Sequence, residues 1–277
     1  GSTWQKTTLA KGSSYSLPGV RDAEGYTFMG WSTKPMQSVS PQYEAEEKIT
    51  VNGNVDLYAV VFNRTTETDL TEDQLPQVDI YKYKQVIFVG DSRTEFMENV
   101  LTGMGESATK NVKFVCSAGK GLDWFTTTGW AQLYSIVQHD SNSILSKKTA
   151  VIFNFGVNDL SKSADYAEYY NWIAPQLKSK GCELYFMSVN PVNRLMLPNA
   201  GRADRSEAAV RSFNQYMKAN LSSAYTYIDM YSYLKSTGYS FASDHYGTGT
   251  VDDGLHYTTR TYKRIFAKCM DSLRVPA

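Results

Sequence analysis

Five mainly apolar runs, separated by longer amphipathic segments, restrict the folds open to this 277-residue chain more than any other feature. Val86-Ile87-Phe88-Val89, Val112-Lys113-Phe114-Val115 and Val151-Ile152-Phe153-Asn154-Phe155 are the clearest of them. Strands are expected near 85–90, 112–116, 150–155, 183–189 and 225–229. Helices are expected near 94–101, 121–138, 163–180, 204–221 and 258–273. A strand that is apolar on both faces is buried on both, the condition of a parallel sheet sandwiched between helices. Right-handed crossovers then favour a three-layer α/β/α, flavodoxin-like arrangement. In such a sheet ligands bind beyond the carboxyl ends of the strands, so residues that directly follow a strand are the first candidates for chemistry.

Residues 1–64 follow a different pattern. Ser14-Tyr15-Ser16-Leu17-Pro18, Tyr26-Thr27-Phe28-Met29-Gly30-Trp31 and Val55-Asp56-Leu57-Tyr58-Ala59-Val60-Val61 read as short strands, with Asn52-Gly53-Asn54 as a turn. A unit this small needs its aromatics to build a core, so Phe28 and Trp31 are expected to pack inward. Gly25-Tyr26-Thr27-Phe28-Met29-Gly30-Trp31-Ser32, followed by Ile49-Thr50-Val51 and Val55-Asp56-Leu57-Tyr58-Ala59, resembles the internalin B-repeat module. That module is a small β-rich unit of bacterial surface and secreted proteins; its usual first strand is shortened or absent here. Residues 65–79 are polar and acidic and read as a linker with one short helical turn. The expected organisation is a β-rich module over 1–64, a linker over 65–79 and an α/β domain over 80–277.

The residues after the strands carry the chemistry. Gly90-Asp91-Ser92 ends the first apolar run. Taken alone it is an ordinary turn with a helix cap, but it also places a serine at the ligand edge of the sheet. Cys116-Ser117-Ala118-Gly119-Lys120-Gly121 follows the second run, and its glycines let backbone N–H groups approach a ligand. Gly156-Val157-Asn158-Asp159 follows the third, where an Asn side chain can donate to a developing oxyanion or simply form an Asx turn. Asp252-Asp253-Gly254-Leu255-His256 is expected in a loop before the last helix. An Asp three residues before a His can accept from its Nδ1–H and turn Nε2 toward a serine. The chain has three histidines. His139 falls in a helical stretch and His245 in a Tyr/Gly-rich loop, which leaves His256 as the best base.

In this order the four segments resemble the blocks of the SGNH branch of the GDSL hydrolases, over roughly residues 80–277. The resemblance implies a serine esterase. Ser92 would be the nucleophile, His256 the general base and Asp253 its orienting acid. The Ser92 N–H, the Gly121 N–H (favoured over Gly119 by its spacing from the strand) and the Asn158 side chain would form the oxyanion hole. Two positions depart from the family pattern: Arg93 stands where Leu is usual, and Cys116 where many relatives have Asn. A cation facing the cleft at Arg93 would favour an anionic or highly hydroxylated substrate. Trp124, Asn190 and Tyr246 are further candidates for substrate contact, and Tyr231, Tyr233 and Tyr239 are expected to border the cleft.

Composition narrows the partners. The formal net charge is zero, which gives no electrostatic reason to expect nucleic acid or an anionic membrane surface. No apolar run approaches the roughly 18 residues of a membrane span. Neither Cys-x-x-Cys nor His-Glu-x-x-His occurs, so no metal or other cofactor is expected. Cys116, Cys182 and Cys269 read as small buried hydrophobes. Gly1-Ser2 looks like a cloning remnant, no signal segment is seen, and the natural N-terminus is expected upstream. The repeat-like module implies a bacterial cell-surface or extracellular setting, with contact to a cell wall or surface through that module. With 20 Tyr and 5 Trp available to stack on sugars, the expected activity is hydrolysis of small acyl esters, O-acetyl foremost, on carbohydrate. A lipid esterase, thioesterase or acyltransferase would use the same residues. A surface adhesion protein with a carrier hydrolase fold is the alternative from a different class.

Overall fold

The sheet that positions the site begins only after four short strands have been laid down at the N-terminal end. These are β1 (Ser13–Ser16), β2 (Tyr26–Ser32), β3 (Lys48–Val51) and β4 (Tyr58–Asn63), paired antiparallel as β1–β3 and β2–β4. The computed structural model describes residues 4–35, 40–79, 82–139, 148–243 and 252–273. From β5 (Tyr83–Gly90) the chain alternates: α1 (Ser92–Met104), the one-turn α2 (Glu106–Thr109), β6 (Val112–Cys116), then α3 (Leu122–Trp124), which continues through a π-helical turn into α4 (Trp130–His139). There follow β7 (Lys148–Asn154), α5 (Ser163–Ser179), β8 (Cys182–Met187), α6 (Glu207–Asn220), β9 (Tyr225–Ile228) and α7 (Met230–Thr237). The hairpin-like pair β10 (Phe241–Ser243) and β11 (Asp252–Tyr257) precedes α8 (Thr259–Ser272).

Strands β5 to β9 form one parallel sheet in the order β6-β5-β7-β8-β9. This is a doubly wound order, with its crevice where the connections diverge beside β5. Period-two alternation sorts the strand side chains into two layers. Ile87, Val89, Val151 and Phe153 pack with Leu133 of α4, Tyr170 of α5 and Phe213 of α6. Val86, Phe88, Ala150 and Ile152 face the other way, onto Met97 and Leu101 of α1 and Ile265 and Phe266 of α8. Each large apolar side chain buried in this way contributes roughly 1.5–3 kcal/mol. The expected three-layer α/β/α fold is the one observed.

Phe28 and Trp31 do pack inward, edge to face with centroids 5.4 Å apart, in a small cluster with Leu17 and Ala45. Met29, Val60 and Phe62, however, belong to the second layer of the large core, beside Tyr239, Phe241 and Tyr257. A register shift between Phe28 and Gly30 lets one strand serve both clusters.

Three further features differ from the sequence reading. The stretch 65–79, expected as a linker with one short helical turn, has such a turn at Glu72–Gln74 but is also packed against the second core layer. Glu67 is buried and pairs with Arg264 at 3.0 Å, while Leu75 and Val78 enter the second layer. Its acidic composition hid these anchors. Helix α7 was not anticipated; Asp229 caps it by accepting from the Ser232 N–H at 3.1 Å. Asp252–His256 lies in β11 rather than in a loop. Gly254, at φ +68°, interrupts the alternation by which a strand is read, and a side chain there would strike the Asn193 carbonyl.

Candidate active site

The turn from β5 into α1 sets Ser92. A Cβ at Gly90 would lie 2.9 Å from the Asn154 carbonyl oxygen and would overlap the Thr94 side chain, so only a glycine fits between β7 and the first turn of α1. Asp91 is the N-cap and accepts from the Arg93 N–H at 3.0 Å. Burial raises its carboxyl pKa to about 6. Ser92 is the first residue of α1, where the backbone N–H has no intrahelical acceptor and the helix end favours negative charge.

The structure brings Ser92, His256 and Asp253 into one hydrogen-bonded line. Ser92 Oγ lies 2.9 Å from His256 Nε2, and His256 Nδ1 lies 2.5 Å from Asp253 Oδ2. All three are buried, at 6%, 2% and 0% exposure. The other Asp253 oxygen accepts from the Leu255 N–H at 2.8 Å and the His256 N–H at 2.7 Å. Burial alone would raise the Asp253 pKa, but the His256 interaction and these N–H groups hold it below the usual carboxylate value. Burial pushes the His256 pKa down, Asp253 opposes this, and the Arg93 and Arg202 charges add to the lowering. The Phe96 ring, one turn along α1, meets the imidazole edge to face at 4.5 Å.

Asn158 and Gly121 are neighbours. Asn158 Nδ2 donates to the Lys120 carbonyl at 2.8 Å, which places the amide against the peptide that leads into Gly121. Asp159 lies directly beneath that glycine and accepts from the Leu122 N–H at 2.9 Å; a side chain at Gly121 would collide with its carboxylate. Gly119, at φ +70°, faces open space. Glu95 accepts from the Ala118 N–H at 2.6 Å and ties the glycine loop to α1.

Several expected contacts fall elsewhere. Arg93 does not offer its guanidinium to a substrate. It is 3% exposed and donates to the carbonyls of Leu255 (3.0 Å), Asn190 (2.9 Å) and Pro191 (3.0 Å). The expectation of an anionic substrate drawn from Arg93 is corrected accordingly: this cation clamps α1 to the loop after β8 and to β11. Asn190 is buried and lends Arg93 its carbonyl. Trp124 is half-buried and packs on Phe155 with centroids 6.0 Å apart. Tyr231 and Tyr239 are buried, and Tyr233 lies under Arg264 and Lys268, so these rings are packing residues rather than a sugar platform. His139 ends α4. Tyr246 and His245 lie outside the described residues.

Two arginines escaped the sequence reading because no spacing marks them. Both lie on the loop before α6. Arg202 Nη2 stands 3.4 Å from Asp253 Oδ2, the oxygen that also faces His256. Arg205 donates to Asn158 Oδ1 at 2.8 Å, to the Val157 carbonyl at 2.7 Å and to the Ala203 carbonyl at 2.9 Å, which fixes the orientation of the Asn158 amide. Among the described residues no cluster of His, Cys, Asp and Glu is arranged to hold a metal ion, and no helix is long and apolar enough to cross a membrane.

Family models match two parts of the chain. Residues 1–60 match the Listeria-Bacteroides repeat domain and residues 86–269 the GDSL-like Lipase/Acylhydrolase family. No curated protein matches the sequence. Similar solved structures include a candidate acylhydrolase from Bacteroides fragilis NCTC 9343, with 16% identity, TM-score 0.46 and coverage of 73% of this chain and 92% of that one. An acetyl xylan esterase has 11% identity, TM-score 0.43 and coverage of 69% and 100%. The C-terminal catalytic domain of Streptococcus pneumoniae peptidoglycan O-acetyltransferase A has 15% identity, TM-score 0.42 and coverage of 69% and 92%. With the GDSL-like model spanning most of its length, the chain belongs to the GDSL-like lipase/acylhydrolase family and is a hydrolase of ester bonds.

Proposed function

We propose that this enzyme removes small acyl groups, O-acetyl foremost, from carbohydrate through an acyl-enzyme on Ser92. The observation that carries the reading is the unbroken line from Ser92 through His256 to Asp253. Ser92 Oγ attacks the ester carbonyl as His256 Nε2 takes its proton, and Asp253 supports the imidazolium that forms. The Ser92 N–H, the Gly121 N–H and Asn158 Nδ2 receive the oxyanion. His256 returns the proton to the departing alcohol. It then deprotonates the water that releases the acid and regenerates Ser92. On this reading a short acyl group is favoured, since Ser92 is only 6% exposed.

The carbohydrate part of the reading rests on the N-terminal repeat: residues 1–60 match the Listeria-Bacteroides repeat domain, and the internalin B-repeat module that this segment resembles is a unit of bacterial surface and secreted proteins. On this reading residues 1–64 form the repeat, 65–79 a packed connection and 80–277 the hydrolase, acting at or outside the bacterial surface. The test is hydrolysis of aryl esters from acetate to octanoate, with Ser92→Ala beside the parent, followed by acetylated polysaccharides. Acetate preference lost in Ser92→Ala is expected. Preference for octanoate, or activity that survives the substitution, overturns the reading.

A further inference from the structure

Strand β11, which carries Asp253 and His256, is not part of the parallel sheet. Its only strand partner among the described residues is β10, through a short pairing with a register shift between Phe241 and Ser243. A strand held so lightly takes its position from whatever else grips it. Two of the grips lead into the N-terminal repeat. Arg64, the first residue after β4, forms an ion pair with Asp252, the residue before Asp253, and a second one with Asp22 at 2.8 Å. Asn193 donates from its backbone to the Gly254 carbonyl at 2.9 Å and from its side chain to Asp22 at 2.9 Å. The residues on either side of Asp253 are thus both tied to Asp22. Arg64 Nε also donates to Thr27 Oγ1 at 2.9 Å, and that hydroxyl donates to the Tyr239 carbonyl just ahead of β10. The Phe62 ring closes on Gly238, where any side chain would overlap it.

We propose that the N-terminal repeat is a positioning element of the catalytic centre, and that Arg64 is the residue through which it holds the strand bearing Asp253 and His256. The proposal rests on the roles given to Ser92, His256 and Asp253 under Proposed function. It assigns the repeat a task inside the enzyme, in addition to any contact with a cell surface. Arg64 suits the task because a planar fork can serve two carboxylates in fixed directions, which a flexible ammonium does less well. The Ser92–His256 hydrogen bond has little tolerance, since displacement of a catalytic group by about 1 Å can cost about a hundredfold in rate.

The experiment measures kcat and KM for an aryl acetate, with thermal unfolding, on the full chain and its Arg64→Gln, Arg64→Lys, Asp252→Asn and Arg64→Gln/Asp252→Asn variants. We expect kcat to fall about tenfold or more in Arg64→Gln and in Asp252→Asn, with KM within about twofold, because the proposal gives both residues a positioning role and no contact with substrate. Arg64→Lys recovers part of the loss. The double variant is no slower than the slower single one, as two ends of one interaction require. Folded single variants with kcat within twofold of the parent overturn the proposal. Asp252→Asn decides alone where Arg64→Gln does not fold, since it leaves the Arg64–Asp22 pair intact. Ser92→Ala separates the two levels of the argument. Its inactivity beside fully active Arg64 and Asp252 variants removes the positioning role and leaves the esterase standing. Its undiminished activity removes both.

Discussion

Asn158→Ala tests the site most directly, because the geometry allows its catalytic and structural effects to be separated. The side chain makes two hydrogen bonds in the free enzyme, one to the Lys120 carbonyl at 2.8 Å and one from Arg205 at 2.8 Å. Neutral bonds are worth about 0.5–1.5 kcal/mol and charge-assisted ones about 1.5–3 kcal/mol. Asn158 is only half-buried, and Arg205 keeps its Val157 and Ala203 carbonyls, so a stability loss of about 1–3 kcal/mol is expected. The Nδ2 group has two hydrogens, and the one not given to Lys120 is the proposed oxyanion donor. Loss of one such donor raises the barrier by about 2.7–4 kcal/mol, or about 10²–10³ in kcat. Steady-state hydrolysis of an aryl acetate and thermal unfolding measure the two effects separately. Asn158→Asp provides the control: it keeps an oxygen for Arg205 but removes the donor and adds a charge that opposes an oxyanion. Both variants should lose about 10² or more in kcat while remaining folded. Turnover of Asn158→Asp near that of the parent would refute the donor role and leave Asn158 as an anchor for Arg205.

Other expectations follow from the same geometry. The lowered His256 pKa keeps the base neutral at pH values where an ordinary histidine is protonated, so the acid limb of kcat/KM should lie below the ordinary histidine range. Arg202→Gln removes a cation that opposes the imidazolium, which raises the His256 pKa and moves that limb to higher pH; an unmoved or lowered limb contradicts this. Arg205→Met should lower kcat about tenfold or more by releasing the Asn158 amide, with Arg205→Lys intermediate, and wild-type kcat in a folded Arg205→Met protein rejects the role. Glu67→Ala leaves the buried Arg264 without its carboxylate. It should cost about 3–5 kcal/mol, seen as a fall in Tm of about 10 °C, whereas an unchanged Tm means the segment 65–79 is held by other contacts.

The β–α–β pattern, the five strand positions and the order of the Ser, Gly, Asn and His segments could all be read from the chain. These depend on local periodicity and on which residue follows a strand. Burial of Val86 and Ile87 in opposite layers is likewise set by the pleat. The Asp253–His256 bond was also legible, since three residues are enough for the carboxylate to reach Nδ1.

What the sequence hid is what depends on distant segments meeting. Arg93 read as a cation beside the nucleophile, yet three carbonyls from residues 190, 191 and 255 take up its donors. Arg202 and Arg205 belong to no motif and acquire meaning only where the loop before α6 crosses the site. Tyr231 and Tyr239 have the composition of a sugar platform but are buried in the packed interior. The acidic stretch 65–79 reads as a linker, and only the fold brings Arg264 to Glu67. Local pattern determined the elements and singled out the candidate reacting groups. Long-range packing alone decided which charges are paired and which aromatics are buried, and it tied the N-terminal repeat to the strand that carries Asp253 and His256, because burial and ion pairing are properties of neighbours that the chain does not place side by side.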